Sequence, residues 1–239
     1  MNSKDILSFA SKVIITEGKE VIAQVKNLDR NFLSAVEMLK NLEGKLVVVG
    51  VGKSGLIGRK LSATFSSINI PSVFLHPVEL LHGDLGAIKT DDIVLLLSYS
   101  GETEEIKKVL PVLRNFKVKV IAMTGQKSSK LAQSCDIVIN TRIRKEACPY
   151  NIVPTSSTTA MLAVGDALAL TAAKLRGFKK EDLFSVLQLG HFILFILYEI
   201  KYYFQLYKIL KNFSTTKNYS FSVAIANFSA PANLHLSII

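Results

Sequence analysis

Ile93-Val94-Leu95-Leu96-Leu97-Ser98-Tyr99-Ser100-Gly101-Glu102-Thr103 decides how this chain folds. Five apolar residues in a row, without alternation, read as a strand covered on both faces, because a half-exposed strand would alternate with polar residues. A hydroxyl-rich turn follows, then Glu102, Glu104 and Glu105, acids suited to the first turn of a helix. A strand feeding such a turn brings the hydroxyls of Ser98, Ser100 and Thr103 and the unpaired N–H groups of a helix start to one point. That combination suits a phosphate.

Working outward, similar short apolar runs recur at Leu46 to Val51, Ser72 to Leu75, Val118 to Met123 and Ile137 to Ile139. The segments between them are long enough for crossover helices, so the pattern predicts an α/β fold: a doubly wound, five-stranded parallel sheet flanked by helices, flavodoxin-like. In such a sheet the ligand site lies at the carboxyl ends of the strands, where the winding direction reverses. Residues 4 to 42 carry apolar positions at helical spacing (Ile6, Phe9, Val13, Ile14, then Val21, Val25, Leu28, Phe32, Val36, Leu39), which predicts two amphipathic helices packed on neighbours. Residues 156 to 176 read as a helix opened by Ser and Thr caps and stopped by Gly177.

Composition narrows the function. At 239 residues and 49% hydrophobic content the chain can bury a full core, which excludes a disordered protein. Two cysteines, Cys135 and Cys148, form no disulfide framework or metal-ligand pattern, and the N-terminus has too short an apolar run for a signal peptide. A cytoplasmic location is expected. The formal charge of +10 comes from basic residues scattered singly, without a basic run interleaved with aromatics, so anionic metabolites are expected rather than nucleic acid. No membrane anchor is expected either, since the apolar run 192–198 is far short of the ~20 residues that span a bilayer.

Each predicted strand ends in a turn with chemistry in it. Gly50-Val51-Gly52-Lys53-Ser54-Gly55 matches GxGxxG formally, but the second strand ends Phe74-Leu75-His76 and lacks the acid that would hold a nucleotide ribose. What remains is a glycine turn presenting Lys53 and Ser54. His76 and His82, with Glu79 and Asp84, follow the second strand; the imidazoles can transfer protons near neutrality, and structural hydrogen bonds account for them equally well. No zinc-ligand spacing is present, although His76 is left as a candidate for adventitious metal capture that the chemistry does not need. Glu146, in a loop after the fifth strand, is a reasonable general base, whereas Cys148 has no activating partner in sequence and reads as a packing residue. Thr155-Ser156-Ser157-Thr158-Thr159 adds hydroxyls at a helix start beyond what one cap uses.

Together, GVGKSG (50–55), HPVELLHGDLG (76–86), SYSGETEE (98–105), KEACPYNIVPTSSTT (145–159) and GDALAL (165–170) resemble the sugar isomerase (SIS) fold family and, within it, the arabinose 5-phosphate isomerases. The resemblance runs from about residue 46 to 181. It implies isomerisation of ribulose 5-phosphate and arabinose 5-phosphate through an enediol without a cofactor, supplying a sugar for lipopolysaccharide or capsule. It also implies a homotetramer with shared sites. Carried over by position, the catalytic groups are Lys53, Glu105, Glu146 and His82, with Glu146 favoured as base, Glu105 second, and Lys53 and His82 steadying or relaying charge. The substrate-binding set is Gly52, Ser54, His76, His82, Ser98, Ser100, Gly101, Thr103, Thr155, Ser156 and Ser157. A phosphosugar sensor without catalysis, or a SIS isomerase of another sugar phosphate, would use the same turn.

The resemblance stops near the end of residues 1–184. The family's His-Pro-Gly-Gly segment is replaced by Ser185 to Phe192, and the CBS pair carried by many members is not expected within these 239 residues. Residues 192–239 hold 11 of the 20 aromatics, and beyond Phe184 the single acid is Glu199. Residues 185–239 thus read as a divergent tail, as from a frameshift; if native, a helix near 191–211 is expected.

Overall fold

The computed structural model describes residues 2–182, and the expectations for residues 185–239 lie outside them. Five parallel strands form one sheet: β1 (Leu46–Gly50), β2 (Ser72–Leu75), β3 (Ile93–Leu97), β4 (Lys119–Thr124) and β5 (Ile137–Asn140), in the order β2-β1-β3-β4-β5. This is the doubly wound parallel sheet expected from the unbroken apolar runs, with strand ends moved by at most one residue. The cause of those runs is visible along β1 and β3. Leu46, Val48, Leu95 and Leu97 enter the core on one face, while Val47, Val49, Val94 and Leu96 enter a second core on the other. A strand buried on both faces leaves no position for a polar side chain.

The first face is covered by α2 (Arg30–Lys40), α3 (Gly52–Ser67) and α7 (Ser156–Leu175), the second mainly by α5 (Glu104–Asn115), with Leu80 of α4 (Pro77–Leu81) and Leu131 of α6 (Lys130–Gln133). α7 is long and apolar enough to cross a membrane by length and composition. Its apolarity is spent inside the fold, where Ala160, Met161, Val164, Leu168 and Ala172 are buried against the sheet, α2 and α3.

α1 (Ser3–Ala23) corrects one expectation. The helix forms, with a capping box between Asn2 and Asp5, and Val13 and Val21 are partly buried, but much of its apolar surface is not covered within this chain: Ile6, Leu7, Phe9, Ile14 and Ile15 are exposed, Ile14 by 72%. Val25 and Leu28 are exposed as well, and only Phe32, Val36 and Leu39 of the N-terminal apolar set enter the core. Periodicity identified the helix; it could not say what covers it.

At the end of the sheet away from the strand carboxyl ends, Asp92 joins β1 to β3. It is 2% exposed and accepts hydrogen bonds from Lys45 N and Lys89 N, both at 2.8 Å, and from the Lys45 ammonium. Burial alone would raise its pKa; the Lys45 ammonium and the two N–H donors outweigh it and hold the carboxyl below its ordinary value. Asp92→Asn is therefore expected to cost about 1–3 kcal/mol at neutral pH. Because the folded value is depressed, that stability is present above the unfolded Asp value of about 3.9 and is lost as pH falls through the folded value. Urea unfolding should show the gap between wild type and variant narrowing below about pH 4.

Candidate active site

β1 and β3 are neighbours, but the chain leaves β1 toward β2 on one side and β3 toward β4 on the other. Their carboxyl ends therefore flank the topological switch point, where doubly wound sheets bind ligands. The turn after β1 enters α3 through Gly52, whose φ of +56° a side-chain-bearing residue would adopt only with strain. The turn after β3 is fixed by its own hydroxyls. Ser98, 2% exposed, lies 2.7 Å from Thr103 through their hydroxyls and accepts from Gly101 N at 3.0 Å, and Ser100 Oγ accepts from Glu102 N at 3.2 Å.

Helix caps separate these two turns from the rest. Among the described residues, side chains accept from first-turn N–H groups of α1 (Asn2), α2 (Asp29), α4 (His76), α6 (Ser129) and α7 (Glu146). α3 and α5 have no side-chain cap. Nor does Glu102 serve α5, for its carboxylate accepts from Lys130 N at 2.8 Å, and that hydrogen bond holds its pKa below the usual value. Two helix N-termini with free donors thus meet at the switch point, the geometry of an anion site.

Beside them lies a cavity of about 400 Å³ lined by Val51, Lys53, Ser54, Tyr99, Glu146, Asn151, Ile152, Pro154, Ser157, Thr158 and Met161. Glu146 is held firmly there. Its Oε2 accepts from Thr155 N (2.8 Å), Thr155 Oγ1 (3.1 Å) and Ser157 N (3.1 Å), and its own N–H donates to Asn151 Oδ1 at 2.7 Å. Among the described residues Oε1 makes no hydrogen bond, which leaves one carboxylate oxygen for a ligand. Tyr99 Oη accepts from Ile143 N at 3.2 Å, so the phenol keeps its own proton to donate. Burial, with the Ile143 N–H opposing and the Glu146 charge adding, pushes the phenol pKa up.

The structure brings Lys53, Ser54, Glu146 and Ser157 to one cavity and leaves other expected residues outside it. Glu105 is partly buried on α5 but does not line the cavity. His76 caps α4, its Nδ1 accepting from Val78 N at 3.4 Å, and His82 is exposed beyond the end of α4. Neither histidine lines the cavity within this chain, and among the described residues no group of three or more His, Cys, Asp or Glu side chains could hold a metal. Thr155 Oγ1 serves the protein, accepting from Ala147 N at 2.9 Å and donating to Glu146.

Ser156 is fully buried within this chain, and among the described residues its hydroxyl has no hydrogen-bond partner. Since an orphaned buried hydroxyl costs free energy, Ser156→Ala should leave stability unchanged or raise it by roughly 1 kcal/mol without loss of ligand affinity. Urea unfolding and ligand titration check this, and a drop in affinity would return Ser156 to the ligand shell. The cysteines stay apart from the cavity lining. Burial pushes Cys135 up to about 12, and Cys148 is lowered by the N–H groups of Ile152, Val153 and Tyr150. Tyr99 is one of the site residues the sequence reading missed, with Asn151 and Met161; its signal was a large aromatic inside a turn otherwise built of small hydroxylic residues and glycine.

Residues 38–171 match the family model of the SIS domain. The chain is 45% identical over 174 residues to arabinose 5-phosphate isomerase KdsD of Escherichia coli K12 and, to the same extent, to that of Shigella flexneri; each match covers 72% of this chain and 53% of the relative. The chain therefore spans about half the length of these curated relatives. A solved structure from E. coli CFT073, in complex with arabinose 5-phosphate, superposes with a TM-score of 0.75 at 39% identity, covering 80% of this chain and 100% of the other.

Proposed function

The chain belongs to the SIS-domain family, and from that membership we propose that it interconverts ribulose 5-phosphate and arabinose 5-phosphate. The observation that carries the proposal is the shared cavity of Lys53, Tyr99 and Glu146, set beside two helix starts that no side chain caps. The names of the relatives and the sugar phosphate bound in the E. coli structure support the choice of sugar.

In this reading the phosphate sits on the free N–H groups of α3 and α5 with the hydroxyls of the 98–103 turn, far enough from the reacting carbons to serve as an anchor. Glu146 Oε1 removes a proton from C1 of the ketose. The C–H electron pair becomes the C1–C2 double bond of the enediol as the C2 carbonyl oxygen gains a proton. Return of the proton to C2, with loss of the proton from the C1 hydroxyl, gives the aldose. Lys53 steadies the negative charge that develops on oxygen. No cofactor enters these steps.

The proposal extends to a cytoplasmic homotetramer. Ile6, Leu7, Phe9 and Ile14 on α1 are the apolar surface that such an assembly would cover, and residues outside the cavity of one subunit, His82 and Glu105 among them, could then reach a neighbour's. The test is the purified full chain with ribulose 5-phosphate in heavy water. Arabinose 5-phosphate carrying deuterium at C2 is the expected product. Binding without conversion would replace the enzyme by a sensor.

A further inference from the structure

The side chain that α1 buries deeply is a carboxylate. Glu20 is 2% exposed, on a helix whose apolar residues largely face outward, and a buried charge is costly unless it is fully used. Here it is used: Oε2 accepts from Arg144 N at 2.9 Å and Oε1 from Arg144 Nε at 3.1 Å.

Glu20 belongs to a polar stripe. Glu17, Glu20 and Gln24, spaced three and four apart, share one face of α1 and the 3-10 turn (Gln24–Asn27) that continues it. Gln24 Nε2 donates to the Arg142 carbonyl at 3.1 Å, and Glu17 accepts from Thr159 Oγ1 in the first turn of α7 at 2.8 Å. Between these contacts Ile143 N donates to Tyr99. Three consecutive residues, 142 to 144, are thus each fixed by a side chain from elsewhere, two positions before Glu146. Glu146 is in turn fastened to the start of α7, which the same stripe touches through Thr159.

We propose that Glu20 is a positioning residue for Glu146: it clamps the 142–146 segment from outside and so holds the Glu146 carboxylate in the cavity with Lys53. The inference rests on the isomerase reading of that cavity. It also gives α1 a role in the site that its exposed apolar residues do not reveal.

Glu20→Gln tests it, because an amide can accept from one of the two Arg144 donors but turns its own N–H groups toward the other. With the variant shown folded by circular dichroism, kcat should fall about ten-fold to 10²-fold with KM nearly unchanged. In a Glu146→Gln background the same change should cost almost nothing, since the group it positions is already disabled. Equal losses in both backgrounds, or wild-type kcat in the single variant, would overturn the proposal. Amide hydrogen exchange of residues 142–147 is measured in parallel and does not depend on turnover. Faster exchange confined to that segment is expected, and unchanged exchange refutes the clamp even if the chain isomerises no sugar. Gln24→Leu, which removes the donor to Arg142, takes the place of Glu20→Gln if that variant does not fold, with the same expected signs.

Discussion

Glu146→Gln is expected to lower isomerase turnover by about 10²–10⁴-fold while leaving KM nearly unchanged. The amide carbonyl can still accept from Thr155 N and Ser157 N, so the start of α7 keeps its cap, but the free position once held by Oε1 can no longer take a proton. Steady-state kinetics with ribulose 5-phosphate, run beside Glu105→Gln, separates the two candidate bases. Glu105 lies outside the cavity of its own chain, so its variant should lose less. Near-native turnover for Glu146→Gln with a large loss for Glu105→Gln would exchange their roles and place the base on α5.

The second large effect is structural. Gly101 has φ +66°, and a Cβ built on it would lie 2.0 Å from Ser129 Oγ and 2.4 Å from Ser129 Cβ. Ser129 has little room to yield, since its hydroxyl donates to Gln126 O at 2.7 Å and accepts from Ala132 N to cap α6. Gly101→Ala should cost about 2–5 kcal/mol, the sum of roughly 1–2 for a left-handed residue and 1–3 for overpacking. Urea unfolding measures that cost. Any folded fraction should bind sugar phosphate more weakly, because the turn that aligns Ser98, Ser100 and Thr103 is distorted. A loss under about 1 kcal/mol would mean that the turn relaxes freely and is no rigid cradle.

The sheet was legible in the sequence because its strands are buried on both faces, and two-sided burial writes itself as unbroken apolar runs at 46–50 and 93–97. The lateral order of strands leaves no such trace; it followed from fold class and is seen directly only in the pairing of β1 with both β2 and β3. Turns were legible where glycine and hydroxyls cluster, which is how Lys53, Ser54 and the 98–103 turn were found. Less legible were side chains whose role depends on distant partners. Nothing near Glu20 in sequence announces Arg144, 124 positions on, and Tyr99 reaches Ile143 across 44. Ser156 shows the same limit from the other side: its residue type suits a ligand contact, and only the structure shows that helical geometry places it in the interior of this chain.

The uncapped starts of α3 and α5 have a thermodynamic consequence. A missing side-chain cap typically forfeits on the order of 1 kcal/mol of helix stability. Two helices of this chain carry that deficit at the same point. An anion bound there supplies the absent acceptors, so the ligand completes the secondary structure as well as occupying a cleft. On the proposed reading folding and binding are linked, and the stability of the chain is expected to rise with the logarithm of free sugar phosphate once the site is saturated.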